Sequence, residues 1–121
     1  MNTILLIEDD PILGTTMKEL LGLFGYEVHW CNSFSAFQDS RDHLFKADIV
    51  LSDFYLGDGT FKDVYEEILE LQDVTDAIIC FTAAAAKEDL DFIHNSSAHY
   101  LAKPFRTQEL QEMLELCYQS V

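Results

Sequence analysis

Ile49-Val50-Leu51-Ser52-Asp53 decides the fold. β-branched and apolar residues end abruptly in a carboxylate, and the next segment, Phe54 to Thr60, carries Gly57, Asp58 and Gly59. An apolar run closed by turn residues reads as a strand buried on both faces, the kind found inside a parallel sheet. Asp53 then sits where the strand leaves its sheet. In open α/β sheets, ligands bind outside the carboxyl ends of the strands.

The same pattern recurs on either side. Thr3 to Ile7 is a second apolar run, ending in Glu8-Asp9-Asp10. Pro11 follows, and Leu13, Met17, Leu20, Leu21 and Phe24 recur at helical spacing. This predicts a helix capped by Asp10, with Pro11 at its first position and its end at Gly25. Tyr26 to Trp30 alternates, as an edge strand with one less buried face does. Ser33 caps a helix carrying Phe34, Phe37 and Leu44, and Thr60 caps another carrying Phe61, Val64, Tyr65, Ile68 and Leu69. Ala77 to Phe81 is a fourth strand, ending in Thr82. Ala83 to Ala86 lead into a short helix with Leu90, Phe92 and Ile93. Ala98 to Ala102 is a fifth strand, ending at Lys103-Pro104, and a last helix carries Leu110, Met113, Leu114 and Cys117. Five strands alternating with five helices over short connections predict an α/β fold: a five-stranded parallel sheet covered on both faces, with right-handed crossovers. The pattern has no linker or repeat, so residues 1–121 are read as one domain.

Charge narrows the function. With 22 acidic residues against 7 basic ones the net charge is −15, which disfavours direct binding of nucleic acid or an anionic membrane, since phosphate contacts need clustered Lys and Arg. Cys31, Cys80 and Cys117 are odd in number and form no C-x-x-C pair. They read as thiols of a reducing compartment rather than a disulfide frame or zinc site. No apolar stretch approaches the roughly 20 residues that span a bilayer, and no basic leader opens the chain. The expectation is a soluble cytoplasmic protein.

In a parallel sheet all strand ends point one way, so Glu8-Asp9-Asp10, Asp53, Thr82 and Lys103 gather at one rim. Clustered carboxylates repel one another unless a cation intervenes. Lys103 supplies one positive charge, and an all-oxygen donor set suits Mg²⁺ rather than zinc or copper. Asp53 can then act as a nucleophile toward a phosphoryl group, with the ion and Lys103 neutralising its oxygens and the Thr82 hydroxyl bonding one of them. Singly, each residue has a plainer role: Asp10 is a helix cap, Thr82 a cap for the next helix, Lys103 a solvated lysine. Their joint order is what turn chemistry does not produce.

Ile7-Glu8-Asp9-Asp10-Pro11, the strand ending at Asp53, Phe81-Thr82-Ala83 and Tyr100-Leu101-Ala102-Lys103-Pro104-Phe105 together resemble the receiver domain of two-component response regulators, over the whole chain. The resemblance implies a doubly wound, flavodoxin-like (β/α)5 sheet of strand order 2-1-3-4-5. It implies that Asp53 accepts a phosphoryl group from the phosphohistidine of a sensor histidine kinase or phosphotransfer protein. Asp9, Asp53 and the Tyr55 carbonyl would hold Mg²⁺, with Glu8 acting through water. Thr82, the Ala83 amide and Lys103 would hold the phosphoryl oxygens. Tyr100 would be the aromatic switch that turns inward as Thr82 moves, reshaping the face of the fourth helix, fifth strand and fifth helix for a downstream protein partner. Lys103-Pro104 would be a cis peptide, and Tyr55 and Ala84 would tune the lifetime of the acyl phosphate. Two positions depart from the family: Gly57 stands where many receivers have proline, and Phe61 where a glycine often follows.

Such a module is not an enzyme toward other substrates; it catalyses only its own phosphorylation and dephosphorylation. The main rival is a Mg²⁺-dependent phosphatase or phosphotransferase resembling the haloacid dehalogenases, whose D-x-D-G-T motif Asp58-Gly59-Thr60 partly matches. There the nucleophile lies two residues before the second Asp, and that position is Leu56. A pseudo-receiver that binds partners without phosphorylation is a third reading. A nucleotide site is weaker still, because neither G-x-G-x-x-G nor a P-loop follows a strand. His29, His43, His94 and His99 share no helical face or ligand spacing and are read as surface or edge residues.

Overall fold

The computed structural model describes residues 2–83 and 86–119, with the backbone alone for Tyr118 and Gln119. Five strands, β1 (Thr3–Ile7), β2 (Glu27–Cys31), β3 (Ile49–Asp53), β4 (Ile78–Thr82) and β5 (His99–Ala102), form one parallel sheet of order β2-β1-β3-β4-β5. This is the doubly wound, flavodoxin-like order that the sequence implies. β3 and β4 are buried along their whole length, whereas the edge strand β2 is mostly half-exposed. Apolar side chains point to both faces of the central strands, so each face needs its own cover.

That cover splits by residue parity. Ile4, Leu6, Ile49, Leu51, Ile79, Phe81 and Leu101 pack against Met17 and Leu21 of α1 (Pro11–Leu23) and Leu110, Leu114 and Cys117 of α6 (Thr107–Gln119). Leu5, Ile7, Val50, Ile78 and Cys80 face the opposite layer. There α2 (Phe34–Gln38), α3 (Arg41–Lys46), α4 (Phe61–Leu69) and α5 (Lys87–Asn95) bring Phe37, Leu44, Phe61, Val64, Ile68 and Ile93 to the sheet.

Local chemistry sets the helix starts. Asp10 caps α1, accepting from the amides of Ile12 at 2.9 Å and Leu13 at 3.4 Å, with Pro11 following. Thr60 opens α4 in a capping box with Asp63, which satisfies two otherwise orphan amides. One element differs from the single helix that the spacing predicts after Ser33. Residues 34–46 form two short helices, because the Ser40 hydroxyl donates to the Ala36 carbonyl at 2.8 Å and lies 3.2 Å from the His29 Nε2 on β2. A serine that bonds back to the turn before it competes with the helix ladder. Phe37 and Leu44 are nonetheless both buried, as their spacing demands. Counted in this order, the expected fourth and fifth helices are α5 and α6.

The histidines lie at the surface or on edge strands as read, and two of them meet. His29 and His43 stack with centroids 3.6 Å apart and planes 6° from parallel. Burial, then the charges of His43 and Lys18, keep the His29 pKa below its ordinary range. Imidazole lone pairs lie in the ring plane, so two stacked rings do not converge on one ion, and neither belongs to a cluster of metal-ligating groups among the described residues.

Candidate functional site

Register brings the strand ends together. Ile7 pairs with Ser52, Asp53 with Phe81 and Thr82 with Ala102, so Glu8, Asp53, Thr82 and Lys103 reach one rim although they span most of the sequence. Glu8 is fully buried, Thr82 is 1% and Asp53 8% exposed, and Asp9 lies in the open.

The Lys103 ammonium stands between two carboxylates, 3.2 Å from Glu8 Oε1 and 3.2 Å from Asp53 Oδ2. The other oxygen of each is engaged by backbone: Asp53 Oδ1 accepts from the Phe54 amide at 2.7 Å, and Glu8 Oε2 from the Asp10 amide at 3.3 Å. Burial works against the charge on Lys103, but Asp53 and Glu8 outweigh it and raise its pKa above the ordinary value. Burial, and then the charge of Asp53, lift Glu8 from 4.5 to about 7 despite the lysine. The cluster thus holds more negative charge than one ammonium offsets.

Carboxylate oxygens of Glu8, Asp9 and Asp53, one from each, lie within 4.8 Å of one another. These hard donors, with charge in excess, fit a small divalent cation such as Mg²⁺. The turn after β3 contributes as well. Tyr55 and Thr60 form an isolated bridge whose hydrogen bonds are made by their neighbours, Leu56 N to Gly59 O at 3.0 Å and Phe61 N to Phe54 O at 2.7 Å. In such a pair the residue's own carbonyl points away from its partner, which keeps that of Tyr55 out of the turn's ladder. Gly57, in the same turn, has φ +76°. Proline cannot adopt that angle, and a Cβ here would stand 3.5 Å from Asp9 Oδ2. Phe61, the second departure, is fully buried against Phe54, Tyr65 and Phe92.

Of the other expected residues, Lys103–Pro104 is a cis peptide. The Lys103 amide donates to the Thr82 carbonyl at 2.8 Å, tying the ends of β4 and β5. Tyr100 is half-buried, its ring edge-on to His94 at 6.1 Å. Ala83 follows β4 at the rim, whereas Ala84 lies outside the described residues. Asp58 is turned elsewhere: its carboxylate accepts the amides of Phe34 at 2.8 Å and Ser35 at 3.0 Å. The bonds from Ser35 and Phe34 hold its pKa below the ordinary carboxylate range. In the role the rival reading would need, this carboxylate would face the nucleophile, and it faces α2 instead.

Three contacts escape a sequence reading. Lys103 Nζ sits 4.9 Å over the Phe81 ring, whose quadrupole favours a cation; the pairing of Phe81 with Asp53 is the one signal of it. The Tyr55 hydroxyl donates to Asp89 Oδ2 at 2.6 Å while Lys62 meets Asp89 Oδ1 at 3.3 Å, fastening the turn after β3 to α5. Trp30 on β2 donates from its indole nitrogen to the Glu8 carbonyl at 2.9 Å and lies flush on Gly14 of α1, where a Cβ would meet the indole at 2.1 Å. Gly14→Ala is therefore expected to push the indole off Glu8 and cost about 1–2 kcal/mol, as overpacking and a lost hydrogen bond do. Chemical denaturation with tryptophan emission as the probe measures both effects, and an unchanged midpoint would contradict this packing.

Fold and rim define a class: α/β modules that present an aspartate, an acid cluster and a single lysine at the carboxyl edge of one parallel sheet. The chain belongs to the response regulator receiver domain family, which matches residues 4–115. It is 30% identical over 114 residues to the transcriptional regulatory protein QseB of Escherichia coli O157:H7, covering 93% of this chain and 51% of QseB. It is 31% identical over 110 residues to the transcriptional regulatory protein VxrB of Vibrio cholerae, covering 89% of this chain and 42% of VxrB. The chain thus spans about half the length of these relatives, or less. Among solved structures, the non-phosphorylated HemR receiver domain of Leptospira biflexa superposes with a TM-score of 0.80 at 33% identity, covering 98% of this chain and 94% of that one. The chain is thus a receiver domain of two-component phosphorelay signalling. No described helix is long and apolar enough to cross a membrane.

Proposed function

We propose that Asp53 is the phosphoacceptor of a Mg²⁺-dependent reaction, taking its phosphoryl group from a phosphohistidine of a sensor histidine kinase or phosphotransfer protein. The observation that carries this reading is the Asp53 carboxylate itself, held at the rim with Lys103 on one oxygen and the Glu8–Asp9 pair beside it. Glu8, Asp9, Asp53 and the Tyr55 carbonyl would hold the ion, Glu8 through water. When bound, Mg²⁺ supplies charge neutralisation for the phosphoryl oxygens.

The chain's own residues do the remainder. An Asp53 oxygen attacks phosphorus, the P–N bond of the donor breaks, and its electron pair leaves with the imidazole nitrogen. Lys103 moves from bridging Glu8 and Asp53 to meeting the added negative charge. The Thr82 hydroxyl and the Ala83 amide take further phosphoryl oxygens. Thr82 moves toward the phosphoryl group, Tyr100 turns into the space it leaves, and the α5–β5–α6 face changes shape for a downstream protein. The Tyr55 ring, fastened to Asp89, shields the acyl phosphate from water. On this reading the domain is cytoplasmic, contacts neither nucleic acid nor membrane itself, and is no enzyme beyond its own phosphorylation and dephosphorylation.

Intact mass after incubation with Mg²⁺ and acetyl phosphate tests the proposal. The expected result is one added phosphoryl group that requires Mg²⁺, is lost to hydroxylamine and does not form on Asp53→Ala. Steady phosphate release from monoesters without an adduct would favour the phosphatase reading instead.

A further inference from the structure

The α5–β5–α6 face carries a groove whose chemistry selects its occupant. On α6, Glu109, Glu112, Met113 and Leu116 fall at i, i+3, i+4 and i+7, one stripe of the helix. With Tyr100 to Ala102 of β5 they line an open groove of about 440 Å³. Its floor is apolar: Met113 and Tyr100 are half-buried, and Leu116 is 54% exposed. Its acidic lining is Glu109 and Glu112, with Glu115 exposed on the same helix and Arg106 just before it. Arg106 is already paired with Glu109 at 3.1 Å.

We infer that this groove takes a cationic, amphipathic protein segment, with an apolar residue seated among Tyr100, Met113 and Leu116 and Lys or Arg side chains meeting the glutamates. The inference rests on the reading of this face as the output surface and names its partner's chemistry. A second copy of the domain does not fit. A two-fold interface sets each patch against itself, and here that opposes glutamate to glutamate with too few cations between them. Nucleic acid is refused by the same sign of charge. A basic segment satisfies both features of the groove, and the net charge of −15 steers its approach.

Two helical peptides with identical leucines, one carrying Lys and the other Glu at every polar position, decide the question by fluorescence anisotropy on the whole chain. Each is titrated with and without Mg²⁺ and beryllofluoride. The Lys peptide is expected to bind at least about tenfold tighter than the Glu peptide, in a salt-sensitive manner. Glu112→Lys and Leu116→Ser should each weaken it, while Glu66→Lys on the remote α4 makes the same charge change and should leave it intact. Equal binding of both peptides, or equal weakening by Glu66→Lys and Glu112→Lys, overturns the inference, since attraction would then lie in net charge alone. A dimer in light scattering that Leu116→Ser dissolves also overturns it, with a second copy as occupant. Phosphorylation of Asp53, read in parallel by mass, separates the two proposals. An adduct without Lys-peptide binding defeats the groove's assignment only. Groove-dependent binding without an adduct defeats the phosphoacceptor reading and leaves the occupant standing.

Discussion

Free of divalent ions, the domain is expected to lose up to about 3 kcal/mol of stability as pH rises from the ordinary range of a glutamate to above 7. The cause is Glu8, raised from 4.5 to about 7 by burial and by Asp53. Between those values the folded chain holds a proton that the unfolded chain has released, so stability is greatest at the acid end and falls as pH climbs. A shift of this size corresponds to about 3 kcal/mol at 1.36 kcal/mol per unit, and the full burial of Glu8 means water screens little of it. His29, held below its ordinary value, opposes this inside the window, so the part due to Glu8 is read as the difference between the parent chain and Glu8→Gln; the other shifted groups act outside it. Asp58, Asp89 and Glu109 lie below their ordinary values and contribute at more acid pH, and Lys103 lies above its own. Mg²⁺ held as proposed would do the proton's work and should flatten the dependence. Thermal unfolding in chelator and in Mg²⁺ across this range measures it. A profile in chelator that Glu8→Gln leaves unaltered would rule the mechanism out.

Lys103→Met should slow phosphorylation from acetyl phosphate about a hundredfold at saturating Mg²⁺, the scale of losing one preorganised charge at a reacting oxyanion. The lysine is shared, 3.2 Å from each of two carboxylates, so its loss also leaves Glu8 and Asp53 facing each other without a counter-charge. Glu8 should then titrate higher still, and the ion-free protein should weaken further above neutral pH. The nucleophile remains in this variant, so slow labelling should persist, in contrast to Asp53→Ala. Rates within twofold of the parent chain would show that Lys103 only holds the resting rim together.

Much of this was legible because the informative residues are punctuated. Ile4 to Ile7, Ile49 to Leu51 and Ala77 to Phe81 are apolar throughout, and a fully buried strand admits little else. Parallel pairing then forces their polar ends to one edge, so Glu8, Asp53, Thr82 and Lys103 meet through topology alone. The break between α2 and α3 was hidden, since it depends on a serine that chooses between its own helix and a neighbouring strand. The stack of His29 on His43 and the seat of Trp30 on Gly14 depend on how β2 lies against α3 and α1. No periodicity along one segment carries that information. Asp58 shows the opposite hazard: a motif fragment next to the right strand, yet spent on the amides of α2.

The Tyr55–Asp89–Lys62 contact has a consequence for the traffic between site and surface. It joins the turn that follows Asp53 to the first turn of α5, one wall of the proposed output face. A ligand at either end that favours one arrangement of this joint must, by thermodynamic necessity, be favoured by the ligand at the other end to the same degree. On the proposed function, a downstream protein that grips α5 would also be an effector of the rim, its arrival tightening or loosening the hold on ion and phosphoryl group by the same factor that their arrival alters its own affinity.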